Sequence, residues 1–289
     1  MYEKRHGASG MKRSKTIGIV GGVGPYAGID LNRKIFEQTL AGTDQDHLRV
    51  VLISWSELIP DRTEFLLGNE GKNPGVPIAR VIGALEAAGA EVVGIPCNTA
   101  HSPEIFSVIG DRCRKNGYRA KILHMIREVA AFLREDFPEI RRVGVLATNG
   151  TVRSGLYRQI LEPEGFEVVY PSESTQTQKV HRMIYDQAFG IKVQSSPVTE
   201  VARKELHGAM RELVEAGSDG IVLACTELPL AITENRFAGR PLIDATLVLA
   251  RALVREAAPQ QLRQLARVRL QPLKVQERIE VPPLRALQF

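Results

Sequence analysis

Short apolar segments alternate with longer amphipathic segments along most of the chain. The apolar segments predict strands over residues 16–21, 49–54, 91–96, 120–123, 142–146, 167–170 and 220–224. The amphipathic segments predict helices over residues 27–40, 76–88, 104–115, 125–136, 152–161, 176–187, 198–216, 228–234 and 245–257. Residues 55–73 predict an irregular loop. Alternating strands and helices are typical of an α/β fold, in which helices flank parallel sheets.

Two segments of this pattern are similar to each other, one in each half of the chain. Residues 88–99 and 216–227 both run from a helix end through a glycine, an acidic residue and an apolar strand to a cysteine. Residues 16–21 resemble residues 142–147 in the same way. The duplication predicts two parallel sheets, each in an α/β domain of modest size.

The duplicated segments also suggest where each domain begins and ends. The bounds expected from them are residues 15–118 plus 235–258 for an N-terminal domain carrying Cys97, residues 119–234 for a C-terminal domain carrying Cys225, and residues 1–14 and 259–289 for extra basic termini.

Composition excludes several classes of protein. Hydrophobic residues at 44% and charged residues at 25% are ordinary for a globular protein, and no apolar run is long enough to cross a membrane. Residues 1–15 lack the apolar core of a secretory signal, so we expect a cytoplasmic protein without a membrane partner. Lysine and arginine are concentrated in residues 1–15 and 261–289, so the net charge of +5 belongs to the ends and predicts no nucleic-acid partner.

The three cysteines are too few and too irregularly spaced for a disulfide framework or a zinc site, so we predict free thiols and no metal. Cys113 lies in the middle of a predicted helix and is expected to be an inert core residue. Cys97 and Cys225 instead end predicted strands, where parallel sheets bind ligands. Two thiols that face each other could remove a proton from one face of a carbon atom and return one to the other face.

Three further groups are candidates for binding or supporting a ligand. Residues 148–151 precede a predicted helix, whose N-terminal N–H groups could bind a carboxylate. Arg62, in a loop stiffened by Pro60, could bind a carboxylate through two hydrogen bonds. His101 could be a base, a support for Cys97 or simply a helix-start residue, and a supporting role is favoured.

The glycine-rich loop permits a different interpretation. Residues 22–27 match the G-x-G-x-x-A pattern of dinucleotide-binding loops, which alone is a weak signal. That interpretation expects an acidic residue at the end of the second strand, but Asp44 and Asp46 precede the strand. A nucleotide-dependent oxidoreductase is therefore retained only as an alternative.

Several of these motifs, taken in order, are specific to one family. Residues 18–25, 60–63, 96–101, 146–151 and 225–227 resemble the cofactor-independent aspartate/glutamate racemase family, and within it the aspartate racemases. The resemblance spans residues 15–256 and implies two pseudo-symmetric α/β domains, an active site at their interface, a homodimer and no pyridoxal phosphate.

The resemblance also implies roles for individual residues. Cys97 and Cys225 would be the catalytic thiols, and Arg62 and Lys192 would bind the side-chain carboxylate of the substrate near Tyr185. The α-carboxylate and amine would be bound by Asn98, Thr99, Thr148, Gly150, Thr151 and Thr226. Supporting positions behind these groups would be Gly22, Gly24, Pro25, His101 and Glu227.

The expected activity is conversion of L-aspartate to D-aspartate. Val23 departs from the family pattern, since a methionine is common there, and the two termini have no counterpart in the pattern. Racemisation of glutamate or cysteate and isomerisation of maleate remain alternatives that use the same thiol pair. A carboxylate-binding protein without turnover is a further alternative.

Overall fold

The first of two sheets is built from the N-terminal part of the chain. The computed structural model describes residues 13–265, and this sheet has the strand order β2-β1-β3-β4 with every pair parallel. Its elements and the helices between them are β1 (Ile17–Gly21), α1 (Pro25–Gln38), β2 (Val50–Ser54), α2 (Arg62–Leu67), α3 (Gly75–Ala87), β3 (Val92–Gly94), α4 (Pro103–Lys115) and β4 (Lys121–Ile122).

The second sheet repeats this arrangement and adds a strand. Its order is β6-β5-β7-β9-β8, parallel except for the β8–β9 pair. The elements are α5 (Met125–Asp136), β5 (Arg142–Leu146), α6 (Asn149–Arg153), α7 (Leu156–Leu161), β6 (Glu167–Val169), α8 (Glu173–Thr175), a π-helical turn (Gln176–His181), α9 (Arg182–Tyr185), α10 (Glu200–Glu215), β7 (Gly220–Leu223), α11 (Leu228–Ala231), β8 (Arg236–Phe237), β9 (Arg240–Asp244) and α12 (Ala245–Ala257). The predicted α/β fold with parallel sheets flanked by helices is confirmed.

The internal duplication has a physical basis in two pairs of glycines. Gly18 of β1 and Gly144 of β5 leave no room for a side chain, because a Cβ atom would lie 2.8 Å from Ala90 and Ser218, respectively. Equivalent strands therefore pack against equivalent residues in the two halves. A glycine of positive φ also ends the helix before each cysteine-bearing segment: Gly89 follows α3 and Gly217 follows α10.

The last helix connects the two sheets. Asp244 ends β9 and caps α12 by accepting hydrogen bonds from the Thr246 and Leu247 amides at 2.8 and 3.1 Å. Its carboxylate also pairs with Lys34 of α1 at 2.5 Å. Helix α12 packs against α1, α5 and β3, and its apolar face joins a core that contains residues of both sheets.

Three predicted elements differ from the structure, and one observed hairpin was not predicted. The loop expected over residues 55–73 contains helix α2, and the helix expected over residues 152–161 is interrupted at Gly155, whose φ is 65°. The helix expected over residues 176–187 is divided among a π-helical turn and α9. The hairpin β8–β9 had no predicted counterpart.

Strand pairing also assigns two segments differently from the predicted division of the chain. Strand β4 pairs with β3 in the first sheet, although residues 119–234 were assigned to the second domain. Strands β8 and β9 belong to the second sheet, although residues 235–258 were assigned to the first domain. Most of the two predicted termini lies outside the described residues. No helix among residues 13–265 is long and apolar enough to cross a membrane.

Candidate active site

Cys97 and Cys225 follow equivalent strands, β3 and β7, and line the same cleft. Both thiols are buried, with exposed fractions of 7% and 5%. The cleft is narrow, with a cavity volume of about 10 Å³. Its lining residues are Val23, Arg62, Thr63, Cys97, Asn98, Thr99, Thr148, Tyr185, Lys192, Cys225, Thr226 and Glu227. The structure therefore brings together side chains from both halves of the chain.

Not every predicted site residue lines this cleft. Those that do not line it are Gly22, Gly24, Pro25, His101, Gly150 and Thr151. Thr63 lies in the 60–63 motif and lines the cleft, although it was not among the predicted site residues. Val23 lines the cleft at the position where the family pattern has a methionine.

Hydroxyl groups from three segments of the chain meet at one wall of the cleft. Thr63 donates a hydrogen bond to Thr148 over 2.9 Å, and Thr99 Oγ1 lies 2.8 Å from Thr151 Oγ1 and 3.3 Å from Thr148 Oγ1. Gly150 permits this approach, because a Cβ atom there would lie 2.8 Å from Thr63 Cα. The cluster joins α2, the Cys97 loop and the start of α6 and offers donors and acceptors for a carboxylate.

Asn98 presents an unpaired donor beside these hydroxyls. Its Oδ1 accepts a hydrogen bond from the hydroxyl of Tyr157 over 2.7 Å, and Tyr157 is fully buried. Its Nδ2 is buried and has no partner among the described residues. Because Oδ1 is engaged, the amide is oriented with its N–H groups free to bind an acceptor.

Arg62 is the first residue of α2 and is buried against the Cys97 side of the cleft. Its guanidinium donates to the carbonyl groups of Val23 and Pro60, and Nε has no partner among the described residues. Burial lowers the pKa of this guanidinium, but Cys97 and Asp61 more than offset that effect, so the pKa lies above its usual value. Arg62 therefore places a fixed positive charge beside Cys97.

Lys192 connects the two halves across the mouth of the cleft. Its Nζ lies 3.6 Å from Glu227 and 4.0 Å from Asp61. Tyr185 donates to Asp61 at 3.1 Å, and Lys192 Nζ lies 5.1 Å from the centre of the Tyr185 ring. Burial lowers the pKa of Lys192, but the two carboxylates raise it above its usual value. Asp61, which the sequence analysis did not select, also caps α2.

The turn that carries Lys192 is held by the backbone. The Lys192 amide donates to the Ile184 carbonyl over 3.1 Å, and the Gly190 amide donates to the Asp186 carbonyl over 2.8 Å. A Cβ atom on Gly190 would lie 2.5 Å from that carbonyl oxygen. Only glycine therefore fits this turn, which brings Lys192 beside Tyr185.

Glu227 comes from the second half of the chain, whereas Arg62 comes from the first. It contacts the second cysteine, Cys225. The Cys225 thiol donates to Glu227 Oε2 over 3.0 Å, and the Thr226 hydroxyl donates to the same atom over 3.3 Å. Burial and the Glu227 charge raise the pKa of Cys225 well above its usual value. Gly24 makes room for this carboxylate, since a Cβ atom there would lie 2.7 Å from Glu227 Oε1.

The glycine-rich loop and His101 shape the walls. Gly22 has a φ of 82°, and a Cβ atom there would contact the backbone of Trp55 and Ser56. His101 lies behind Cys97, with Nδ1 at 2.9 Å from the Cys97 carbonyl oxygen. Burial lowers the pKa of His101 to about 4, so the ring is neutral and donates from Nδ1. This geometry makes His101 a support for the Cys97 loop.

Cys113 is separate from the other two cysteines. It is buried in α4 and does not line the cleft. Burial raises the pKa of its thiol to about 11. A buried thiol of this kind is an inert core residue.

Comparison with known proteins agrees with this geometry. The family model described as Asp/Glu/hydantoin racemase matches residues 20–253. The aspartate racemase of Picrophilus torridus has 32% sequence identity and a TM-score of 0.69, with 84% of this chain and 94% of that chain covered. The broad specificity amino-acid racemase RacX of Bacillus subtilis is 26% identical over 246 residues, which cover 82% of this chain and 96% of that protein.

A glutamate racemase is also similar, over a shorter region. The protein from Deinococcus radiodurans is 32% identical over 155 residues, which cover 52% of this chain and 47% of its own length. These findings confirm the resemblance predicted from the sequence motifs and the prediction of an isomerase of the racemase type. The chain belongs to the Asp/Glu/hydantoin racemase family.

Proposed function

We propose that this protein interconverts L-aspartate and D-aspartate without a cofactor, with Cys97 and Cys225 as the two proton-transfer groups. The observation that carries the proposal is that both buried cysteines follow equivalent strands and line one cleft together with Arg62 and Lys192. A pair of thiols on two sides of a bound carbon suits a reaction whose substrate and product are mirror images.

In this mechanism one cysteine is a thiolate and the other a thiol. The thiolate takes the α-proton, so that the Cα–H bond breaks and an S–H bond forms, and a planar carbanion results. The opposite thiol gives its proton to the other face, so that a new Cα–H bond forms and the second sulfur becomes a thiolate. For the opposite enantiomer the two cysteines exchange roles.

The α-carboxylate would bind at the wall formed by Asn98 and the threonine hydroxyls. Asn98 Nδ2 lacks a partner among the described residues, and Thr99 and Thr148 present hydroxyls to the same cleft. Donors that are already oriented in a water-poor site stabilise charge that develops on the carboxylate as the α-proton leaves.

The distal carboxylate of the substrate would bind to the cations. Lys192 Nζ is 3.6 and 4.0 Å from its two carboxylate neighbours, and both distances exceed that of a normal hydrogen bond. Its donors can therefore turn to a substrate, and Arg62 has a free Nε. Two cations in the cleft support a substrate with a second acidic group, and the similar aspartate racemase supports aspartate.

Other activities of the same thiol pair would give different substrate profiles. The substrates for glutamate racemisation, cysteate racemisation and maleate isomerisation all carry a distal acidic group. Because the similar proteins include a glutamate racemase and a broad specificity amino-acid racemase, several substrates must be tested. A dinucleotide is disfavoured, because the Glu227 carboxylate lies directly against Gly24, where a pyrophosphate would bind. A carboxylate-binding protein without turnover does not explain two thiols in one cleft.

The decisive experiment is to incubate the purified, reduced protein with L-aspartate in D₂O without added cofactor. NMR follows deuterium uptake at the α-carbon, and chiral chromatography follows the D-isomer. Deuterated D-aspartate is the expected product. No exchange with aspartate, but exchange with glutamate or cysteate or isomerisation of maleate, would correct the substrate. Inactivity with all four substrates would contradict the proposed reaction.

Cysteine variants test the mechanism in the same assay. C97A and C225A should each lose at least about 10²–10⁴-fold in racemisation, the range expected for loss of a general acid or base. C113A is the matched control, because this buried cysteine does not line the cleft. Full activity in C97A or C225A would contradict the two-thiol mechanism.

The proposal extends to compartment and assembly. We propose the cytoplasm, because a reducing compartment keeps both thiols available, and a homodimer, because the family resemblance implies one. Sedimentation equilibrium of the reduced protein tests the dimer, and a monomer mass would contradict it.

A further inference from the structure

We propose that Glu227 is a positioning residue that keeps Cys225 in its thiol form in the free protein. This inference rests on the proposed function, in which Cys97 and Cys225 transfer the proton. It adds an asymmetry to a pair that the sequence presents as equivalent.

The contacts of Glu227 point at the second cysteine. The Cys225 S–H group is directed to Glu227 Oε2 over 3.0 Å, and the carboxylate has an exposed fraction of only 5%. Ionising this thiol would place two negative charges 3.0 Å apart in a buried site and would also break the hydrogen bond. The Cys225 thiol is therefore held both by charge and by geometry.

The position in the first half that is equivalent to Glu227 carries no carboxylate. The corresponding residue two positions on is Thr99, which bonds to other threonines. The charged group beside Cys97 is the Arg62 guanidinium. The two halves thus have similar backbones but opposite charges beside their cysteines.

The other groups around Cys225 do not cancel the Glu227 charge. Lys192 is the cation on this side, and it is shared between Glu227 and Asp61. Tyr157 and Tyr185 also lie near Cys225, and burial raises the pKa of both phenols, so they remain neutral. The Glu227 carboxylate itself stays charged, because Lys192 and Cys225 outweigh the effect of burial and lower its pKa.

The Glu227 charge beside Cys225 has a consequence for the pH profile of the reaction. The active protein carries one thiolate and one thiol, so activity is lost at low pH when both are protonated and at high pH when both are ionised. Glu227 would set the alkaline limit, because it opposes the second ionisation. Since enantiomers have equal free energies, kcat/KM must change equally in both directions.

The test measures the ionisation of Cys225 directly and needs no substrate. In a C97S background, the rate of alkylation of the Cys225 peptide by iodoacetamide is followed by mass spectrometry as a function of pH. E227Q keeps the shape and an acceptor oxygen but removes the charge. The pH midpoint of alkylation should fall by roughly 1–3 pH units.

The control is E215Q, the same change at an exposed residue at the end of α10, which should leave the midpoint unchanged. An unchanged or higher midpoint in E227Q would overturn the proposal, as would absence of alkylation in both proteins up to the pH at which the fold is lost.

If E227Q does not fold, K192Q tests the same charge balance, since loss of this cation should raise the midpoint. An unchanged midpoint there overturns it.

The activity assay separates this inference from the proposed function. With aspartate, E227Q should lose kcat/KM at a lower alkaline pH than the unmodified protein, by the same shift for both enantiomers. A protein inactive on every substrate would contradict the proposed function and leave the alkylation result valid.

Discussion

Individual side chains at this site act through partners that come from distant parts of the chain. Asn98 is oriented by Tyr157, and Thr63 is bonded to Thr148 across the boundary between the halves. Asp61 accepts from Tyr185 and faces Lys192. The geometry of each binding group therefore depends on a contact that only the folded chain provides.

The Tyr157 hydroxyl gives a prediction at this scale. In Y157F the Asn98 Oδ1 loses its donor, so the amide loses its fixed orientation and kcat/KM for aspartate should fall by about 10-fold. Leaving a buried acceptor without its partner should also lower the free energy of unfolding by about 1–3 kcal/mol. Urea denaturation and steady-state kinetics measure the two effects.

Tyr170 supplies the matched control. Its buried hydroxyl has no hydrogen-bond partner among the described residues, so Y170F removes no bond and should change neither quantity. Equal losses in the two variants would show that ring packing, not the hydrogen bond to Asn98, is responsible.

At the scale of elements, the periodic part of the fold was predictable and the short elements were not. Helix α5 and strand β5 match their predicted bounds, because their apolar patterns are long or continuous. Helix α2 has only six residues, too few for a periodic pattern, although Asp61 and Glu64 are typical of a helix start.

The hairpin β8–β9 was missed for a conformational reason. Its turn places Ala238 at a φ of 46° and Gly239 at a φ of 79°. Most turns of this type use Asn-Gly or Asp-Gly, because alanine rarely adopts a positive φ. The sequence therefore lacked the usual hairpin signal.

Most of the residues that line the cleft were predicted from the sequence, but their tertiary hydrogen-bond partners were not. Cys97 and Cys225 were recognisable because they end duplicated strands. Asp61 and Thr63 lie in the 60–63 motif but were not predicted as site residues, and Tyr157 lies in none of the motifs. Each enters the site through a contact made by a distant segment. Such contacts leave no periodic signal in the sequence.

Close packing between α2 and α6 gives a prediction at the same scale. In G150A the new Cβ atom would lie 2.8 Å from Thr63 Cα, so the two helices must move apart. Overpacking of this kind should cost about 1–3 kcal/mol of unfolding free energy. It should also disrupt the Thr63–Thr148 hydrogen bond and raise KM for aspartate.

G71A is the control for this change. A Cβ atom on Gly71 would meet nothing within 4 Å, and this glycine does not have a positive φ. The control should retain both stability and KM. An unchanged KM in G150A would contradict a role for this contact in substrate binding.

At the scale of the whole molecule, the two halves share a continuous core. Two neighbouring histidines also lie in the fold, the buried His101 and the half-buried His124. His101 and His124 have ring centres 4.9 Å apart, and both contact Phe106. Burial lowers the pKa of His101 to about 4 and that of His124 to about 3. Both rings must therefore stay neutral in the folded protein.

These values predict how stability depends on pH. The pKa of an unfolded histidine is about 6.5. In the folded protein the pKa is about 4 for His101 and about 3 for His124, so these rings take up protons only at lower pH. Below the unfolded pKa the unfolded state binds more protons, so the free energy of unfolding should decrease as the pH falls from neutral toward the folded values. Above the unfolded pKa this contribution is constant.

Urea denaturation at a series of pH values measures this slope. The variant H101N should flatten it, because one of the two protonation-sensitive rings is removed, even if the variant is less stable at neutral pH through loss of the bond to the Cys97 carbonyl. H207N, which removes an exposed imidazole on α10, should leave the slope as it is in the unmodified protein. A slope that H101N does not change would show that the His101–His124 pair does not govern acid stability. Other groups would then do so, such as the Asp61 carboxylate. Arg62 and Lys192 lower the pKa of Asp61 against the effect of burial.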